Sequence, residues 1–401
     1  MSPTLALLVS IAAILILLRL KLHPGLAVFA GSLLISLLLL PTRSIPELVG
    51  RTLVGYQTVR LLVIVICALT LSRLMDVKGL LTRLAAAMES IGPKLAMHLV
   101  PAVIGMVPMP AGALVSATAV KDLAKRIGLT PEQATFINYW FRHIWEPSLP
   151  VYASVITVSV VLSVPLSSVF LTLLPLTALA TVFGSISSYR ILRSKKPQAA
   201  ARKPSARIAH ELLRSAWPVL LLVTLVLVGL DAMMVLPLVL GLCVLQQRAT
   251  WPDMEQSLKY GLNPRILLLL YAVMLFKAAI EGSGAAHALF TDMESIGMPT
   301  AAILVALPFL IGFATGLTLP AIGIAFPLLL PFMASDGGVN SHALFLAYAS
   351  GGAGYLLSPI HLCLTLSTEY FKAALSKVYR YMLPPLLATL ATAVIIYLVA
   401  A

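Results

Sequence analysis

The sequence predicts an all-α polytopic membrane protein made of two inverted-topology repeats, each of about five transmembrane helices plus one re-entrant hairpin and one broken helix. Three observations point there. Of 401 residues, 60% are apolar and only 11% are charged, where soluble domains carry about 25% charged residues. Apolar runs recur at about the 20-residue length that crosses ~30 Å of hydrocarbon as a helix, without the polar alternation of a membrane barrel. Lastly, Met88-Glu-Ser-Ile-Gly92 returns as Met293-Glu-Ser-Ile-Gly297.

The first repeat is expected over residues 1–187. Spans lie near residues 3–20, 24–40 and 61–75, and an amphipathic piece covers 77–92. In that piece Leu80, Leu81, Leu84, Met88 and Ile91 share a face at helical spacing, as in helices that lie along the interface. Residues 94–126 begin and end basic and break at Pro108-Met-Pro-Ala-Gly112. Each arm reaches roughly 21 Å, too short to cross comfortably, and both basic ends prefer the cytoplasmic side. A re-entrant hairpin satisfies both facts. Its tip inside the membrane then faces protein or a water-filled cavity. Residues 130–163 would reach roughly 50 Å as one helix, but Pro147 and Pro150 in Trp145-Glu-Pro-Ser-Leu-Pro150 remove helix hydrogen bonds and break it. A segment at 164–186 returns to the linker.

Residues 188–214 hold eight Lys/Arg against one acid, Glu211, and read as a basic cytoplasmic linker. The second repeat, residues 215–401, follows the same plan. Spans lie near 216–230, 235–245 and 266–280, and a weakly amphipathic stretch near 282–297. A hairpin at about 299–335 breaks at Ala314-Thr-Gly-Leu-Thr-Leu-Pro320. A broken helix at about 341–367 is interrupted by Ser350-Gly-Gly-Ala-Gly354 and Ser358-Pro359, and a final span covers 381–400. The offset of 205 residues that pairs the two pentapeptides also pairs Gly79 with Gly284 and Asp76 with Glu281. After a four-residue insertion, Phe136, Tyr139 and Pro150 fall on Phe345, Tyr348 and Pro359. Such a period is too long for a solenoid and suits a duplicated transporter half.

Five crossings per half invert the second half. A cytoplasmic linker then puts both termini outside, with the first hairpin entering from the cytoplasm and the second from outside. The Arg19/Lys21 turn and the 369–380 loop fall inside, while Arg43, Arg51 and Arg60 fall outside, against the charge bias. The net charge of +13 reports orientation rather than nucleic acid, and a contact of the linker with anionic lipid is compatible with that. Cys67, Cys243 and Cys363 are dispersed and suggest no disulfide or metal site. The first apolar run lacks a basic leader and is followed by Arg19 and Lys21, as in a retained span.

The two tips and two broken helices converge near the midplane, where helix ends expose N–H groups to anions and carbonyls to cations. The candidate binding residues are therefore Pro108, Met109, Pro110, Ala111, Gly112, Asn138, Arg142, His143, Glu146 and Ser148 in the first half. In the second half they are Thr315, Gly316, Thr318, Pro320, Ser350, Gly351, Gly352 and Ser358. Arg142 lies roughly 15 Å into its helix. Arg142 and Glu146 are four apart and can pair on one helix face, either as a structural ion pair or as a site. In the functional reading Arg142 meets an anionic substrate while His143 or Glu146 relays protons. His361 reads as a packed or cavity-lining histidine, His98 as interfacial, and Lys277, Asp76, Glu281 and Asp231 as snorkelling near span ends. No phosphate loop, metal cluster or nucleophile–base motif stands out, which argues against a pump driven by ATP and against an enzyme. No cofactor is expected, and no metal beyond a transported Na⁺.

Pro108-Met-Pro-Ala-Gly112 followed by Leu129-Thr-Pro-Glu-Gln-Ala-Thr-Phe-Ile-Asn-Tyr-Trp-Phe-Arg-His-Ile-Trp-Glu-Pro147 resembles the integral-membrane family known as domain of unknown function number 401, over nearly the whole chain. That family is similar to the ion-transporter superfamily of citrate, gluconate and dicarboxylate carriers and sodium/proton antiporters. The resemblance implies two inverted repeats with two hairpins, elevator-like movement and a homodimer. Dicarboxylate carriers have Ser-Asn-Thr tips that bind sodium and carboxylate, whereas these tips read Pro-Met-Pro-Ala-Gly and Ala-Thr-Gly-Leu-Thr. The expected function is secondary active transport of a small anionic organic acid across the cell membrane, coupled to H⁺ or Na⁺. A cation/proton antiporter and an ion channel are the alternatives.

Overall fold

The computed structural model describes residues 1–89, 91–109, 112–195, 206–335 and 338–400. Among them the chain forms twenty α-helices and one short antiparallel strand pair, β1 (Ala334–Ser335) with β2 (Gly338–Val339). Pro110 and Ala111, the middle of the basic linker and Asp336 lie outside the described residues.

The chain opens with α1 (Pro3–Arg19), α2 (Pro24–Leu39), α3 (Ile45–Val54), α4 (Tyr56–Val77) and α5 (Leu80–Glu89). Helices α6 (Pro93–Ile104) and α7 (Gly112–Ile127) pack against each other on either side of the Pro108 turn. Next come α8 (Pro131–His143) and α9 (Ala153–Val161), separated by irregular residues 144–152, and then α10 (Leu166–Leu192). Beyond the linker lie α11 (Ala206–Leu227), α12 (Ala232–Gln246), α13 (Trp251–Gly261), α14 (Pro264–Ser283) and α15 (Ala285–Ser295). The series closes with α16 (Thr300–Thr315), α17 (Thr318–Leu329), α18 (Ser341–Leu357), α19 (Leu362–Phe371) and α20 (Leu375–Ala400).

Local chemistry explains most boundaries. Proline stands at the first turn of α1, α2, α6, α8 and α14, where its missing N–H costs nothing. Thr130 and Gln133 close a capping box on α8, at 3.3 and 3.1 Å. Gly79 and Gly284 separate α4 from α5 and α14 from α15 with φ of +67° and +66°.

Five stretches are long and apolar enough to cross a membrane: Tyr56–Val77, Leu166–Leu192, Trp251–Ser283, Ser341–Phe371 and Leu375–Ala400. Leu171, Met234, Leu245, Leu387 and Ile395 are more than half exposed on the periphery. An apolar belt of that kind requires lipid around it, so the chain is a helical membrane protein. Inside the belt one apolar cluster joins α1, α2 and α4 to α12, α14, α17 and α18. A second surrounds α6, α7 and α8 with α20. Helix α2 packs on α14 and α12 on α4, so both halves contribute to one core.

Two expectations need correction, and two helices and one ion pair add to the rest. Helices α3 and α13 had no counterpart in the sequence reading. Ser350-Gly-Gly-Ala-Gly354 does not interrupt its helix: α18 runs through to Leu357, and the break falls at residues 358–361. The glycines instead let α16 come close, since a Cβ at Gly354 would lie 2.2 Å from the Phe309 carbonyl oxygen. Lys277 does not snorkel, being 5% exposed in α14 and 3.3 Å from Gln57 Oε1. Arg60, which the charge bias disfavoured outside, pairs with Asp231 at 2.9 Å.

Candidate functional site

The site is assembled around the end of α8. Asn138 holds that helix in place, its Nδ2 donating to the Ala113 carbonyl of α7 and to Ser367 Oγ of α19, each at 3.2 Å. Five residues later α8 stops. Pro147 and Pro150 cannot continue it, and the chain crosses residues 144–152 as turns. Arg142 therefore sits in the last helical turn while Glu146 lies beyond it. The expected pairing on one helix face fails for this reason.

Arg142 is 5% exposed, and its Nε is buried with no hydrogen-bond partner. Among the described residues it forms no ion pair. Two glycines of the first helix pair shape its surroundings. A Cβ at Gly105 would lie 2.0 Å from the Arg142 carbonyl oxygen, and one at Gly112 would lie 2.2 Å from Arg142 Nη2. The guanidinium thus lies against the start of α7, in space left by a missing side chain.

Glu146 turns towards the second half. Its Oε1 accepts a hydrogen bond from the Thr318 hydroxyl, at the start of α17, and its Oε2 accepts one from the Tyr355 hydroxyl at 3.1 Å. His143 Nε2 is 4.0 Å from Oε2. The carboxylate is thus partnered by hydroxyls rather than by a cation.

The two histidines meet across the halves. His143 Nδ1 is 2.6 Å from the Tyr139 carbonyl oxygen, and His361 Nδ1 is 2.7 Å from the Gly316 carbonyl oxygen. A carbonyl only accepts, so each Nδ1 carries its proton. The Nε2 atoms then face each other at 3.3 Å. Cys363 Sγ and the nearest nitrogens of both rings all lie within 4.8 Å of one another.

These groups line a cavity of about 440 Å³. Of the residues expected from sequence, Pro108, Met109, Arg142, His143, Glu146, Thr318 and Pro320 reach its wall. Others hold the frame instead. Ser148 Oγ bonds Thr177 Oγ1 at 2.8 Å, Ser358 Oγ bonds the Phe313 carbonyl at 2.7 Å, and Ser350 Oγ bonds back to Leu346 at 2.8 Å. Thr315 bonds backbone within its own turn. Gly316 ends α16 at φ +63°, and Gly351 packs near α16, where a Cβ at Gly312 would lie 2.6 Å from its oxygen. Gly352 faces a different pocket, shared with Trp140 and Tyr355. Pro110 and Ala111 lie outside the described residues. Sequence reasoning missed Cys363, Tyr152, Tyr260, Asn263 and Tyr355. It placed His361 near the second break without its partner, although Ser358-Pro359 two residues earlier signalled a helix start pointing inward.

Fold and site together define a helical membrane protein whose broken helices surround a cavity that carries a few polar and charged groups in a largely apolar wall, among them a buried arginine without an ion pair among the described residues. The chain belongs to the family described as Protein of unknown function (DUF401), which matches residues 1–400. No curated protein matches it.

Proposed function

We propose that the protein is a secondary active transporter of a small anionic organic acid, coupled to H⁺ or Na⁺, working by alternating access. One observation carries this reading: Arg142 is buried beside the cavity, its Nε has no hydrogen-bond partner, and it forms no ion pair among the described residues. A charge in that position is costly unless a partner arrives. A carboxylate satisfies the planar fork in two parallel hydrogen bonds. Glu146, tied to Thr318 and Tyr355, links the site to the second half.

In this reading the chain is two inverted repeats, residues 1–187 and 215–401, with re-entrant hairpins formed by α6–α7 and α16–α17. Support comes from the order of elements. Helices α1 to α10 and α11 to α20 run in matching sequence, down to the short α5 and α15 and the long last members α10 and α20. Their contacts are reciprocal: α2 with α14 and α12 with α4, α1 with α15 and α11 with α5, α7 with α19 and α17 with α9. The protein then sits in the plasma membrane as a multi-pass homodimer, with linker 188–214 cytoplasmic and both termini outside. The cavity stands where the four interruptions meet, as in transporters built from inverted repeats.

The test is flux in proteoliposomes. Saturable accumulation of a small organic anion is expected against a gradient, driven by an imposed H⁺ or Na⁺ gradient and lost in Arg142→Gln. Coupled uptake retained in that variant would refute the role of Arg142. Unsaturable, uncoupled current would favour a channel, and electrogenic cation exchange independent of any organic anion would favour an antiporter.

A further inference from the structure

We infer that His143, His361 and Cys363 form a binding site for one transition-metal ion of the zinc class in the wall of the cavity. The inference goes beyond transport and does not rest on it; it stands on the donor set. First, the separation fits. Two imidazole nitrogens bound to one tetrahedral zinc at about 2.0–2.1 Å lie about 3.3–3.4 Å apart, and the facing Nε2 atoms are 3.3 Å apart. Second, the tautomers fit. Each ring donates its other N–H to a backbone carbonyl, of Tyr139 and of Gly316. Metal-bound histidines are held in this way, which fixes the ring and leaves the free nitrogen as a donor. With both Nδ1 protons committed, neither Nε2 of a neutral ring carries a proton, so the two lone pairs face each other across a gap that a proton or a metal cation fits. Third, a thiol completes the set. Cys363 Sγ and one nitrogen of each ring lie within 4.8 Å of one another, and the His₂Cys combination is soft enough to select Zn²⁺ over Mg²⁺, Ca²⁺ or Na⁺.

The surroundings are consistent with such a centre. His143 and His361 are 4% and 6% exposed, so an ion between them is shielded from bulk water. All three donors line the cavity, which leaves a fourth coordination position for water, for the Glu146 carboxylate 4.0 Å from His143 Nε2, or for a ligand. Cys363 binds as thiolate and releases its proton to solvent on metal entry. The dication then outweighs the thiolate and Glu146, and together with Arg142 leaves the site net positive. The ligands come from both halves of the chain, residues 143 and 361 being 218 apart, so the ion would also tie α8 to α19.

The test uses the full-length protein purified in detergent, stripped with a chelator and titrated with Co²⁺. Saturation at one equivalent is expected, with the intense visible bands of tetrahedral cobalt, a near-ultraviolet thiolate-to-cobalt band, and displacement of both by Zn²⁺. Cys363→Ser is expected to lose the thiolate band, and His361→Gln to weaken Zn²⁺ binding by more than about tenfold. Cys67→Ser and Cys243→Ser are expected to keep every feature. A wild-type titration without tetrahedral bands overturns the proposal whatever the variants do. So does a thiolate band that survives Cys363→Ser or disappears in Cys67→Ser or Cys243→Ser.

Discussion

At the scale of residues, the candidate site rests on two contrasting charges. Arg142 is buried with no partner for its Nε and no ion pair among the described residues, whereas Glu146 is held by two hydroxyls. Removing Thr318's donor in Thr318→Val costs about 1.5–3 kcal/mol, the range for a hydrogen bond to a charged group. A lowered melting temperature of the purified protein checks this, and an unchanged one removes Thr318 from the account. Gly105→Ala places a Cβ 2.0 Å from the Arg142 carbonyl oxygen, and overpacking of this kind costs about 1–3 kcal/mol. Arg142, His143 and Glu146 were legible as candidates because a charge deep in an apolar helix has few bland explanations. The Arg142–Glu146 pairing was misread because spacing of four means contact only while the helix continues, and Pro147 and Pro150 end it. The meeting of His143 with His361 was invisible for another reason. Nothing local in either segment encodes a contact made 218 residues apart.

At the scale of elements, prolines were the most readable feature. They marked the interruptions after α8 and before α19 and the turn between α6 and α7, where the lost N–H and the ring clash end the helix, although Pro101, Pro175, Pro218, Pro237, Pro308, Pro327, Pro384 and Pro385 stand inside helices. Glycine was ambiguous. The run from Ser350 to Gly354 has the composition of a break, yet it is a packing face on which α16 rests. Gly316 is a true stop, at φ +63°, with Ile360, Ser358 and the His361 backbone within 3.1 Å of where a Cβ would be. Gly79 has φ +67° and open space around it. Gly79→Ala should therefore cost only the left-handed backbone penalty of about 1–2 kcal/mol. Gly316→Ala should cost more and push α19 away from the cavity. Equal losses of melting temperature in the two variants contradict this packing. Helices α3 and α13 escaped notice because each is short and amphipathic and adjoins a long apolar helix.

At the scale of the whole molecule, lipid was legible from composition alone, since so few charges cannot clothe 401 residues in water. The interleaving of the halves was not, because core contacts such as those of α2 with α14 and α4 with α12 join segments of near-identical hydropathy. The inverted arrangement predicts that cysteines introduced at residue 2 and at residue 400 react with an impermeant thiol reagent from outside intact cells, while one at residue 195 does not. Termini labelled on opposite sides would require an odd number of crossings and end the two-repeat reading. The central claim is that Arg142 receives an organic anion, and ligand-dependent melting tests it most directly. Wild-type protein and Arg142→Gln are heated with a panel of mono-, di- and tricarboxylates, with and without Na⁺. A ligand at about 100 times its Kd stabilises the folded state by about 2.7 kcal/mol. The account predicts that at least one carboxylate raises the wild-type melting temperature and leaves that of Arg142→Gln unmoved. Equal shifts in both proteins, or no shift with any carboxylate, would contradict it.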